Sequence, residues 1–283
     1  MKPRIPAYLV IGHVTKDLLP DGTFRSGGTA TYSGLTAARL GLQVGVVTSA
    51  EGSFPLFEGL PAVDVRCRLA RCTSTFENVY SAGKRRQYIR AVADPLTPAD
   101  VPPEWRGAHI VHLGPVAQEV DPHLAEAFPG ALLGVTPQGW MRRWDAEGLV
   151  SPIEWACAER VLAVADVVIL SLEDLMGDRQ PLERYRRQAR TLILTIGREG
   201  AIVYTRGREE RVPAYIVEEV DPTGAGDLFA TGYLIRLLET GDVIEAARFA
   251  NCVASFVVEA VGPANIPSRE QVEERMRQGR LRR

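Results

Sequence analysis

The stretch Asp221-Pro222-Thr223-Gly224-Ala225-Gly226-Asp227 decides how this chain is read. It follows a β-rich segment and opens an amphipathic helical run, LFATGYLIRLLE, over residues 228–239. Two glycines around an alanine remove side-chain bulk where a helix begins, so the unpaired N–H groups of its first turn can face a ligand directly. Such a helix start favours an anion by about 0.3–1 kcal/mol per charge at a surface and up to about 2 kcal/mol when partly buried. Gly224, Ala225 and Gly226 are therefore expected to form an anion hole. Asp227, in the same turn, would repel a bound phosphate unless its task is to take a proton from an attacking hydroxyl. General-base action of that kind contributes about 10²–10⁴-fold. The plainer alternative makes Asp227 an N-terminal helix acid beside a tight glycine turn.

Working outward, the near-continuous apolarity of Tyr8 to Ile11 predicts a strand buried on both faces, as in a parallel sheet covered by helices. Residues 21–25 read as a polar turn into a short extended piece. SGGTATYSGLTAARLG, residues 26–41, predicts a helix through about Leu40 that stops at Gly41. Val44 to Thr48 is the next strand, and strand, helix, strand begins an α/β sheet. Residues 63–92 alternate and carry β-formers with no helix between them, with Ala82-Gly83 as a hairpin turn. They predict a small antiparallel insertion, a lid or an edge sheet. Beyond 108 the alternation resumes. Strands are expected within 109–114, 131–136, 167–170 and 191–197, and helices over 152–165 and 181–190. A hairpin over 202–213 turns near Gly207, and two helices follow over about 226–239 and 243–261. The Pro-rich segment 93–103 reads as a surface connection.

With 283 residues, 46% hydrophobic and 24% charged, the chain can bury a sizeable core. A formal net charge of −2 implies no broad attraction to nucleic acid. Cys67, Cys72, Cys157 and Cys252 lack zinc-site spacing and read as reduced thiols. The apolar run before His13 is too short for a signal peptide or membrane span, which points to a soluble, cytoplasmic protein with no membrane partner. His13, His109, His112 and His123 are expected in packing or surface roles. Basic stretches such as RYRRQAR and RMRQGRLRR read as solvated helix faces and a frayed C-terminus. No GxxxxGK[ST] sequence is present, so a Walker-type phosphate loop is excluded.

The heptamer 221–227 resembles the D-T-T-G-A-G-D signature of ribokinase-like (PfkB-type) carbohydrate kinases, with Pro222 in place of one Thr. The resemblance extends over nearly the whole chain, 1–283, as a single kinase domain. It implies a three-layer α/β sandwich, a mostly parallel sheet flanked by helices, with a small β lid formed mainly from about 13–28 and 63–92. It further implies ATP-dependent phosphorylation of a hydroxyl, with Asp227 as base. Asp17 matches the family aspartate that hydrogen-bonds substrate hydroxyls, and Gly27-Gly28 match its double glycine. Tyr32 stands where the family pattern has Asn, which alters a sugar contact. Ser171-Leu172-Glu173-Asp174 stands in for the N-x-x-E segment that helps hold Mg²⁺ through water, leaving Asp174 or Glu173 as the carboxylate. The alternative there is a solvated acid pair at a helix start. Thr195, Gly197 and Gly200 would line the ATP groove. Asn251 lies on the helix expected to flank the adenine, with a packing role as its alternative. Asp221 and the Gly262 region resemble a monovalent-cation loop, implying K⁺.

Within the family the chain looks most like bacterial myo-inositol kinase-type members, on IGHVTKD, STFENVY, the segment at 93–97 and PQGWMR at 137–142. In that comparison Gln138 and Arg142 face the acceptor, as polar groups suited to a polyol ring; their alternative is a surface loop anchored by Trp140. A polar lid (Glu77, Asn78, Arg86, Gln87, Arg90) points the same way. The rivals are a nucleoside kinase on the same fold and a non-catalytic ligand sensor. Dimerisation through the lid is a further implication of the resemblance.

Overall fold

The computed structural model describes residues 4–57, 59–81, 84–175 and 180–282. The strands are β1 (Tyr8–Ile11), β2 (Thr15–Leu18), β3 (Phe24–Gly27), β4 (Val44–Ala50), β5 (Val63–Leu69), β6 (Ser74–Ser81), β7 (Lys84–Ala91), β8 (Ile110–Leu113), β9 (Leu132–Val135), β10 (Arg142–Trp144), β11 (Val150–Pro152), β12 (Val167–Ser171), β13 (Thr191–Thr195), β14 (Ala201–Thr205) and β15 (Arg208–Val212). The helices are α1 (Thr29–Arg39), α2 (Ala158–Val164), α3 (Gln180–Gln188), α4 (Ala225–Thr240), α5 (Val243–Val257) and α6 (Arg269–Gln278).

One sheet runs in the order β15-β14-β13-β12-β9-β8-β1-β4-β5. Every pairing from β13 to β5 is parallel, and the β13-β14-β15 end is antiparallel. The alternation of β1 explains why all four of its residues are buried. Tyr8 and Val10 enter the core under α1, α4 and α5, while Leu9 and Ile11 enter a second core with Trp105, Trp140 and Trp155. A strand covered on both faces has no polar side to show. A separate sheet, β3-β2-β6-β7, stands over the carboxyl ends of the parallel strands as a lid.

Several expectations change. Residues 63–69 pair in parallel with β4 over seven positions, from Val44↔Val63 to Ala50↔Leu69, so they extend the main sheet rather than the lid. Their alternating polarity is that of an edge strand wetted along one side. The lid is not wholly antiparallel, because β2 and β6 run parallel. Its Ala82-Gly83 turn lies outside the described residues. The helix expected over 152–165 is confined to Ala158–Val164, since Pro152 still pairs in β11 and Trp155 is drawn into the core. The helix expected over 243–261 stops at Val257. The segment 93–103 is no mere surface connection, for Leu96 and Val101 are buried. The tail is not frayed. Helix α6 begins at a Ser268/Gln271 capping box, and residues after it pair with 214–216. Only Val272 on this helix is buried, so its apolar period in the sequence is faint.

Trp155 stacks on Trp140 (centroids 6.0 Å) and meets the edge of Tyr185 (5.4 Å). Trp155→Ala is expected to lower the unfolding free energy by about 3–5 kcal/mol in urea titration; an unchanged midpoint would contradict this account of the second core.

Candidate active site

Helix α4 starts at Gly224, whose φ of 84° lies in the left-handed region. Asp221 shapes the approach: one carboxylate oxygen accepts from Thr223 N at 3.0 Å and the other from Gly262 N at 3.4 Å. Ala225 N donates to Pro222 O at 3.2 Å, closing the turn, and no side chain caps the helix. The remaining first-turn amides have no intrahelical acceptor. A side chain at Gly224 would also collide with the ring of Tyr32, which packs across this turn from α1. The altered Tyr32 position thus builds one wall of the anion turn. Its hydroxyl is buried without a hydrogen-bond partner among the described residues. Burial, then the charges of Asp17, Asp227 and Asp221, push its phenol above the ordinary range.

The α1 N-terminus meets this turn. Gly28 caps α1 with φ 83°, and a Cβ there would strike His13 O. A Cβ on Gly27 would strike the Asp17 carboxylate, so the double glycine makes room for that acid. Asp17 sits on β2 and accepts from Thr15 Oγ1 at 3.1 Å. Thr29 follows Gly28 directly, and its hydroxyl hydrogen-bonds Asp227. Sequence reading passed over Thr29, although its place next to the double glycine was the available signal.

Asp227 is pushed up to about 6, chiefly by burial. The Thr29 hydrogen bond and the Arg142 charge oppose that shift, while the Asp17 and Asp174 charges add to it. A carboxyl poised there is basic enough to accept a proton yet ionised at neutral pH. Because the folded value lies above the ordinary 3.8, this group costs stability progressively as pH rises from near that value through about 6.

Asp17, Gly28, Gln138, Arg142, Glu173, Asp174, Thr195, Gly197, Gly200, Gly224, Ala225, Gly226, Asp227 and Asn251 all line one cleft of about 920 Å³. Gly27 lies beneath Asp17, and Asp221 stands behind the turn. Thr136, Ser171 and Thr195 enter the cleft at the carboxyl ends of β9, β12 and β13, where open α/β sheets bind ligands. The volume is of the size that holds small-molecule ligands.

Two of these side chains also carry hydrogen bonds within the protein. Gln138 donates from Nε2 to Asp174 Oδ1 at 3.1 Å, which ties it to the acid as well as to the cleft. Asn251 donates from Nδ2 to Val212 O (3.0 Å) and Pro213 O (3.2 Å), so it fastens the loop after β15 to α5. The other Asp174 oxygen accepts from Ser171 N and Oγ at 2.8 Å each. Of the polar lid residues, Gln87 reaches the cleft, while Glu77 and Arg90 pair with each other at 2.7 Å. Among the described residues, no group of three or more His, Cys, Asp or Glu could hold a metal ion, and no helix is long and apolar enough to cross a membrane.

The model of the pfkB family carbohydrate kinases matches residues 156–270. The inositol 3-kinase of Zea mays is 29% identical over 195 residues, covering 68% of this chain and 50% of that protein. The chain's match therefore spans about half the length of that relative. A fructokinase of Escherichia coli is 27% identical over 303 residues, covering 93% of this chain and 97% of its own. A pyrophosphate-dependent kinase in the ribokinase family, solved with a pyrophosphate analogue and myo-inositol, superposes with a TM-score of 0.76 at 24% identity over 94% of this chain and 99% of that one. The chain is thus similar to pfkB family carbohydrate kinases over residues 156–270, and its fold is the ribokinase fold.

The Asp227 carboxyl should titrate near pH 6 in carbon-13 NMR. Arg142→Ala should move it upward by removing a favourable positive charge, and Asp17→Asn should move it downward by removing a repulsive negative one. Movement in the opposite directions would refute this electrostatic picture.

Proposed function

We propose that this protein is a kinase that transfers the γ-phosphoryl group of ATP to a hydroxyl of a sugar or cyclitol, with a myo-inositol-like polyol as the favoured acceptor. The observation that carries the proposal is Asp227 beside an uncapped helix start at the centre of a single cleft. The first-turn amides offer donors to the transferred phosphoryl oxygens, while Asp227 stands ready to take the acceptor's proton.

The acceptor end is polar. Thr15, Asp17, Gln87, Gln138 and Arg142 line the cleft there, with the aromatic rings of Phe76 and Tyr32 beside them. Asp17 accepts from a ring hydroxyl, and Gly27 leaves space for its carboxylate. Arg142, whose charge already acts on Asp227, offers the phosphoryl group a cation at the point where negative charge gathers. That polarity favours a polyol over a nucleoside, and the relationship to an inositol 3-kinase supports the same class. Asp174, fixed by Ser171 and Gln138, and the exposed Glu173 beside it are suited to hold a magnesium ion through water. Bound with the donor phosphates, that ion would neutralise their charge. Asp221 spends its carboxylate on Thr223 and Gly262, so its role in this reading is to set the turn.

The lid supplies the other half of the chemistry. Strand β2 carries Asp17 and β6 carries Phe76 over the cleft, which excludes water from the transferred group. Lys16 and Glu51 form an ion pair that ties β2 to the sheet below.

Asp227→Asn is expected to reduce turnover at least about a hundredfold in a coupled ADP-release assay, with acceptor binding retained. Near-normal turnover would remove Asp227 from the role of base. For the wild type, kcat/KM should fall below about pH 6 as Asp227 gains its proton. A screen of myo-inositol, other cyclitols, pentoses, hexoses and nucleosides in the same assay tests the acceptor class, and turnover of a nucleoside alone would reverse it. Gly27→Ala should raise KM for the acceptor far more than for ATP, since the added methyl displaces Asp17.

A further inference from the structure

The far end of the cleft is walled by elements distant in sequence. Asn251, Ala254, Ser255 and Val258 line it from α5 and its C-cap at i, i+3, i+4, i+7 spacing, which is one helix face. Facing them is the loop after β15, where Ala214, Tyr215 and Val217 line the same space. That loop is held on two sides. Asn251 pins its start, and the chain after α6 runs antiparallel to it. Ile216 N donates to Arg280 O at 2.8 Å and Arg282 N donates to Ala214 O at 2.9 Å. Alternation along this ribbon leaves Leu281 45% exposed and brings Arg282 to the cleft.

Three properties of Arg282 bear on what it binds. It lines the cleft, unlike its neighbours Gly279 to Leu281. Its Nε is buried without a hydrogen-bond partner among the described residues, so no protein acceptor fixes that edge of the guanidinium. Val217, Ala254 and Val258 line the same cleft with aliphatic side chains, and the acid among their neighbours, Glu219, lies 3.9 Å from Arg198. Ser255 is also occupied, donating to Cys252 O at 2.6 Å and accepting from Arg275 Nη1 at 2.9 Å. A planar, permanently charged guanidinium at the edge of an aliphatic slot suits a flat heteroaromatic ring with acceptor nitrogens, through stacking and one charge-assisted hydrogen bond.

We propose that Arg282 recognises the base of a purine nucleotide donor, which makes the ribbon after α6 a determinant of donor specificity. This rests on the kinase reading above and deepens it by assigning the base end of the donor site. Only a side chain is at stake, because the ribbon is built from main-chain hydrogen bonds that Arg282→Ala retains.

The test compares wild type with Arg282→Ala and Arg282→Lys in the full chain, using calorimetric binding of ADP and of inorganic tripolyphosphate, both with magnesium. Arg282→Ala should weaken ADP by about tenfold and leave tripolyphosphate unaltered, while Arg282→Lys, which keeps the charge and loses the plane, should recover little. Equal weakening of both ligands would assign Arg282 to phosphate instead and overturn the proposal. Unchanged ADP binding would overturn it as well, as would a wild type that binds ADP no more tightly than tripolyphosphate. Failure of the wild type to phosphorylate any acceptor, with ADP binding still dependent on Arg282, would sink the kinase reading and leave the base contact standing.

Discussion

The structure depends on the close meeting of two helix starts. Helices α1 and α4 come from opposite ends of the chain, yet Thr29 on one hydrogen-bonds Asp227 on the other, and Tyr32 lies flat against Gly224. Side chains at Gly28 or Gly224 would prevent that approach, both by occupying the contact and by opposing a left-handed backbone. Two positive dipole ends converge on one point, and an anion there is favoured by both. The same convergence half-buries Asp227, and desolvation is the largest cause of its shift.

The rest of the molecule holds this junction in place. The parallel strands end beneath it and contribute Thr136, Ser171 and Thr195 to the cleft. Under the junction, Thr231 Oγ1 donates to Asp227 O at 2.8 Å and lies 3.1 Å from Tyr8 OH, which in turn lies 2.8 Å from His112 Nδ1. His112 is fully buried, and desolvation pushes its imidazole down to about 3, so this network is uncharged at working pH. A satisfied, neutral network fixes the α4 backbone against the sheet without bringing a competing charge to the site.

The acids of the cleft repel one another, and the geometry manages that repulsion locally. Asp174 accepts from Ser171 and Gln138, and Asp221 from Thr223 and Gly262, while the Arg142 charge opposes the upward shift of Asp227. Among these acids Asp227 is the one pushed up to about 6, beside amides that have no partner in their own helix. On the kinase reading proposed above, the donor's phosphates carry negative charge into this arrangement, so the balance of acids and arginines would govern how strongly it binds.

The sequence by itself determined the parallel-sheet frame, because strands such as 8–11 and 191–195 are apolar on both faces and only a doubly covered sheet accepts them. It also placed a helix start at the two glycines and the acid of 224–227, where α4 begins at Ala225 with Gly224 as its cap. Tertiary structure alone decided the partners of those residues. Edge position assigned 63–69 to the main sheet, because pairing with β4 leaves no local trace in an exposed strand. Long-range packing turned Asn251 toward the Val212 and Pro213 carbonyls and Gln138 toward Asp174. It also carried Arg282 from an unremarkable basic tail into the cleft. Contacts between residues so far apart depend on how layers stack, and side-chain spacing along the chain carries no record of that.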